Sequence, residues 1–130
     1  MSISAIIKAV QDIMRQDAGV DGDAQRISQL VWMIFLKVFD AKEEEWELMD
    51  DDYTPIIPEG LRWRDWAADD EGITGDELLD FVNNKLFKEL KEMELDENSS
   101  PKAFIVKAVF EDSYNYMKSG TLMRQVINKL

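Results

Sequence analysis

Asp17–Trp46 reads DAGVDGDAQRISQLVWMIFLKVFDAKEEEW, and the fold is decided there. Two glycines in Ala18-Gly19-Val20-Asp21-Gly22 permit positive φ and break the chain. Asp23 then stands at an N-cap position. From it Ile27, Leu30, Val31, Ile34, Phe35 and Val38 follow at helical spacing. Trp32, Met33 and Leu36 fill the remaining sides, so the spacing predicts a central helix covered nearly all round. Beyond Asp40 the helix turns charged, with Lys42, Glu43, Glu44, Glu45 and Glu47. This part is expected to project into water, Trp46 and Met49 leaning back on the core. Acids oppose the macrodipole at a helix C-terminus, so Asp50-Asp51-Asp52 reads as a fraying end.

Upstream, Ile3, Ile6, Ile7, Val10, Ile13 and Met14 form one apolar stripe, predicting a helix over Ser4–Arg15 capped by Ser2 or Ser4. Downstream, Pro55, Pro58 and Gly60 exclude a continuous helix over 53–73. Ile56-Ile57 suits a short extended piece there, and Trp63 and Trp66 share one face of a helical turn. Asp69-Asp70-Glu71-Gly72 is a surface turn. A capping box, Thr74-Gly75-Asp76-Glu77, opens a third helix whose buried stripe is Leu79, Val82, Leu86, Leu90 and Met93. Pro101 suits the first position of a fourth helix, which extends to about Met117. Its apolar side is Phe104, Ile105, Ala108, Val109 and Phe110. Ser119-Gly120 stops it, and Thr121 begins a fifth helix bearing Leu122, Met123, Val126, Ile127 and Leu130. The fold class is all-α: a bundle of about five helices with one irregular Pro/Trp-containing excursion, forming a single domain over 1–130. The chain ends inside an amphipathic pattern, as expected of a fragment of a longer subunit.

The composition narrows the chemistry. With no cysteine and no histidine, disulfides, thiolate metal sites, histidine bases and nearly all zinc sites are excluded. The longest apolar run, Leu30–Leu36, is far too short to span a membrane. The net charge is −12. Residues 41–100 carry 6 basic against 20 acidic side chains, whereas residues 101–130 carry 5 basic against 2 acidic. Consecutive acids on a helix point in different directions, so the acidic runs do not converge on a metal. None of the six glycines forms Gly-x-Gly, and no Pro-Pro pair exists to build the Asn/Asp-Pro-Pro-aromatic loop of adenine-N6 methyltransferases. The tryptophans sit within apolar patterns and read as core rather than as base-stacking platforms.

The wording resembles a known family. An apolar helix ends in IMRQDAG; DGDAQRISQLVWMIFLKVFDAKEEEWE follows, with Leu30–Lys37 as an L-x-x-x-x-F-L-K segment; IPEGLRWRDWA and a final MRQVINKL complete the set. Together they are similar to the N-terminal helical domain of the modification (M) subunit of type I restriction-modification DNA methyltransferases. The resemblance implies a cytoplasmic M subunit that pairs with a second M subunit and a specificity subunit and methylates adenine at N6. With restriction subunits the assembly also cleaves DNA. The intact subunit would use S-adenosylmethionine; this chain, without the catalytic domain, would bind no cofactor and supply subunit contacts and DNA enclosure. The expected DNA-facing residues are Arg15, Gln25, Arg26 and Gln29 near the glycine turn, and Lys102, Lys107, Lys118, Arg124 and Lys129 in the basic last segment. A stand-alone acidic protein-interaction module and a helical DNA-binding regulator are the alternatives.

Overall fold

A computed structural model describes residues 2–20, 22–69 and 71–130. Asp21 and Asp70, members of two expected turns, lie outside the described residues. The described residues are helical or irregular, without a strand. The helices are α1 (Ile3–Met14), α2 (Asp23–Met49), the single turn α3 (Trp63–Trp66), α4 (Gly75–Phe81), α5 (Phe87–Lys91), α6 (Pro101–Glu111) and α7 (Gly120–Lys129). A π turn, Val82–Leu86, joins α4 to α5. The four residues Leu78, Val82, Leu86 and Leu90 are fully buried and four apart. An α-helix overshoots a full turn by about 40° in four residues. The wider π turn takes up that drift and keeps the row facing inward.

Local chemistry sets three of the helix starts. Ser2 Oγ accepts from the Ala5 amide at 3.2 Å, Ser100 Oγ from Lys102 at 3.2 Å ahead of Pro101, and Ser119 Oγ from Leu122 at 3.1 Å. Thr74 is the N-cap of α4, but the reciprocal bonds of the expected box do not form, and Gly75 adopts φ +60°. That conformation lets α7 cross closely. A Cβ on Gly120 would lie 1.7 Å from the Gly75 carbonyl oxygen, so this crossing admits only glycine.

The largest departure from expectation concerns the orientation of α2. The row Ile27, Val31, Ile34 and Val38 points outward, with exposures of 58%, 54%, 43% and 53%. Leu30 and Phe35 are half-buried. The buried row is Arg26, Gln29, Met33, Leu36, Asp40 and Glu43, joined by Trp32 and Phe39. Its three-four spacing is as regular as that of the aliphatic row, but its ends are polar. Trp32 is fully buried, packed edge-on against Phe87 at 4.9 Å. Similar corrections apply elsewhere. Ile3 and Ile7 of α1 are exposed, while Val10 and Met14 are buried. In α6, Ala103, Val106 and Phe110 face the core, and Phe104 and Ile105 face out. Leu79 is half-buried, the inner place being taken by Leu78. Met49 is exposed, while Trp46 is half-buried as expected.

Candidate interaction surfaces

The polar ends of the buried α2 row hold the two irregular segments. Glu43, fully buried, accepts from Tyr53 Oη at 2.9 Å and from the amides of Ile56 and Ile57 at 2.8 and 3.1 Å. The expected projection of Glu43 into water is therefore corrected: its carboxylate replaces the hydrogen bonds that the Pro-interrupted excursion lacks. The Ile56-Ile57 pair is likewise a bend anchored on Glu43, not the expected short extended piece. Burial, the bond to Glu43 and the charges of Glu43 and Glu47 together push the Tyr53 phenol well above the usual tyrosine range. One turn earlier, Asp40 accepts from Arg64 N at 3.1 Å and Arg64 Nε at 2.9 Å. Burial lowers the Arg64 pKa, but Asp40, Glu44 and Glu47 outweigh it and leave it above its usual value. Trp63 and Trp66 are buried and edge-to-face at 5.5 Å, in keeping with the core reading.

The second irregular segment follows α6. That helix ends at Glu111 instead of near Met117, and residues 113–119 run without regular structure. Tertiary bonds stop it. Gln29 donates to Asn115 Oδ1 at 2.9 Å and accepts from the Tyr116 amide at 2.8 Å. Asp17, 3% exposed, accepts from the amides of Gly19, Lys118 and Ser119 at 2.8–3.0 Å. Gly19 lies so close to the Tyr116 carbonyl that a Cβ would come within 1.8 Å of its oxygen.

These bonds decide what the nine expected DNA-facing residues do. Arg26 is buried, donating to the Val20 carbonyl at 3.0 Å and pairing with Asp23. Gln29 is fully buried in the bonds just described. Arg124, 5% exposed, donates to the carbonyls of Trp66, Ala67, Asp69 and Ile73 at 2.8–3.1 Å and fastens the tryptophan excursion to α7. These three side chains are taken up by bonds within the fold. Lys102 lies over the Trp46 ring at 3.7 Å. Lys107 bonds the Met93 carbonyl and approaches Glu111 at 3.9 Å. Gln25 is half-buried over Gly22. Arg15, paired with Asp12 at 3.2 Å, Lys118 and Lys129 are exposed. The sequence alone does not separate these groups, because a buried arginine that caps carbonyls is spelled like a solvated one.

What α2 leaves outside is an apolar groove of about 650 Å³ between α1 and α2. Ile7 and Gln11 form one wall; Ile27, Val31, Ile34 and Val38 form the other, over a floor of Leu30, Phe35 and Phe39, with Lys42 at one end. Contiguous apolar surface of this kind marks an interaction site. Among the described residues no group of three or more His, Cys, Asp or Glu is arranged to hold a metal, and no helix is long and apolar enough to cross a membrane.

The fold and its surfaces thus define an all-α domain with an exposed apolar groove. The chain belongs to the HsdM N-terminal domain family, whose model matches residues 3–130. It is 62% identical over 130 residues to the type I restriction enzyme EcoEI methylase subunit of Escherichia coli, covering all of this chain and 26% of that protein. Its structure superposes with a TM-score of 0.87 on a crystal structure of a modification subunit from Vibrio vulnificus YJ016, at 37% identity over 97% of this chain and 29% of that one. A second match, from a study of complex assembly and conformational transition of the type I restriction-modification system, has a TM-score of 0.82 at 33% identity and covers 98% of this chain and 25% of that one. The chain spans about a quarter of the length of these relatives.

Proposed function

We propose that this chain serves a type I adenine-N6 DNA methyltransferase by contact, as the domain that docks the modification subunit within its assembly and helps to enclose DNA. The intact subunit, in the cytoplasm, would bind S-adenosylmethionine through parts this chain does not contain. Its partners would be a specificity subunit, a second modification subunit, restriction subunits and DNA. Family membership takes the place of the two alternatives, the acidic module and the helical regulator. The observation that carries the proposal is the exposed row Ile27, Val31, Ile34 and Val38 on the longest helix, in a family of modification subunits. The sequence supports contact over catalysis, since it holds neither a Pro-Pro loop nor a Gly-x-Gly turn.

The test is a subunit of the relatives' length carrying Val31→Glu and Ile34→Glu. Both positions touch water in the isolated domain, so the domain should fold normally while assembly and DNA methylation fall. Normal assembly and methylation would remove the groove from the account.

A further inference from the structure

Beside the unwound segment 113–119 lies a shallow notch of about 250 Å³, lined by Leu79, Asn83, Phe87, Lys91, Tyr114 and Lys118 over a floor that includes Asn115. Its lining holds two lysines and no carboxylate, in a chain of net charge −12. The concavity on the other side of α4 carries Asp65, Asp69, Glu77 and Asp80 against Lys85, and the one at the α2–α7 junction carries Asp40, Glu44 and Glu45 against Lys37 and Arg64.

The donors in the notch are arranged before any ligand arrives. Asn115 is 5% exposed and held by Gln29; it donates Nδ2 to Asn83 Oδ1 at 2.8 Å. Asn83 is exposed, and with its oxygen accepting, its own NH2 is the group left for an acceptor outside. Lys118 is fixed through its backbone amide, which donates to Asp17, while its side chain is exposed. The backbone amides of Gly19, Lys118 and Ser119 donate to the buried Asp17 carboxylate, with which the Lys118 side chain forms no ion pair. Among the described residues neither Lys91 nor Lys118 forms an ion pair, whereas Arg15, Arg26, Lys42, Arg64 and Lys107 do. Tyr114 is 54% exposed.

We infer that this notch receives the phosphodiester backbone of double-stranded DNA, with Lys91 and Lys118 as the charges and the Asn83 amide and Tyr114 hydroxyl as neutral donors. Lysine, asparagine and tyrosine side chains are the usual partners of backbone phosphates, and such contacts fix position without reading sequence. Single strands are instead held by successive rings that stack on bases. Here Tyr114 meets Tyr116 edge-on, at 5.0 Å and 71°, which offers no such platform. The inference rests on the DNA-enclosing reading above and gives it a location other than the buried arginines.

The experiment measures fluorescence anisotropy of a short labelled duplex with the 130-residue chain, from about 50 mM salt upward. Lys91→Glu and Lys118→Glu are compared with Lys8→Glu, which makes the same charge change on the exposed face of α1. Each notch variant should weaken binding by about fivefold or more and flatten the salt dependence by about one unit of slope, with Lys8→Glu near wild type. Thermal melts separate lost binding from lost packing: the Lys118 side chain is exposed, so Lys118→Glu should melt as wild type, whereas Lys91 lies over the Phe87 ring at 5.5 Å and its variant is read against its own melt. If all three variants bind alike while the wild type binds well, the notch is wrong and the DNA reading stands. If the wild type shows no salt-dependent duplex binding, the DNA reading fails and takes the notch with it. Tighter binding of a single strand than of the duplex, abolished by Tyr114→Ala, would overturn the assignment to a duplex backbone.

Discussion

Glu43→Ala tests the packing logic most severely. The carboxylate is fully buried and receives three hydrogen bonds, two of them from backbone amides of the excursion. Hydrogen bonds to a charged group contribute about 1.5–3 kcal/mol each, and a buried donor left without a partner costs about 1–3 kcal/mol. These terms overlap, so the summed effect is smaller than their total. The expected loss is about 3–5 kcal/mol, the range found when one side of a buried ionic arrangement is removed. Glu43→Gln keeps the size and one acceptor oxygen and should lose about 1–3 kcal/mol. Urea unfolding of the isolated chain measures both, with m unchanged if only stability has moved. A loss below about 1 kcal/mol for the alanine variant would refute the reasoning, because surface substitutions already reach half that size.

Other outcomes follow from the same geometry. Gly120→Ala places a methyl 1.7 Å from a backbone oxygen that cannot move aside, and a thermal melt should register a loss of about 1–3 kcal/mol or more. Trp32→Ala should cost about 3–5 kcal/mol, whereas Ile34→Glu should change the isolated domain by no more than about 0.5 kcal/mol; equal losses in denaturant would mean that α2 is turned the other way. The pKa of Tyr53 is raised by folding, so the native state holds this proton more tightly than the unfolded chain does. The contribution is therefore complete below the ordinary tyrosine value of about 10 and is lost as pH rises beyond it. Wild type should lose stability more steeply than Tyr53→Phe across that alkaline range, and parallel curves would remove Tyr53 from the account.

The sequence made the helices legible where their ends are set locally. Ser2, Ser100-Pro101 and Thr121 mark three starts that the structure reproduces within a residue or two, although Ser119-Gly120, read as the stop of the preceding helix, caps the next one instead. It did not reveal which side of α2 faces in, because two rows at nearly the same spacing compete. Hydropathy favours Ile27–Val38, whereas the fold needs acceptors and donors at positions 26, 29, 40 and 43 for segments that have no helix of their own. The end of α6 was hidden for the same reason: Asn115 and Asp17 act across 86 and 101 residues of sequence, with no local stop signal. A sequence-level clue did exist. Polar residues continued the spacing of Met33 and Leu36 toward a stretch rich in proline and a stretch lacking apolar periodicity. Among the candidate DNA contacts, charge was legible in the sequence and the burial of Arg26, Gln29 and Arg124 was not. The family was legible in the wording instead, because the resemblance carried by RWRDW and the Leu30–Lys37 segment does not depend on which way their side chains face.

The central claim is that this domain acts by docking and not by chemistry. The direct measurement supplies the 130-residue chain in trans to a modification subunit truncated of its matching N-terminal segment, together with its specificity subunit, and follows transfer of a labelled methyl group to DNA. The account predicts no transfer by the chain alone, little by the truncated assembly, and restored transfer when the two are combined, with Ile34→Glu unable to restore it. Methyl transfer by the isolated chain, or full activity of the truncated assembly without it, would contradict the account.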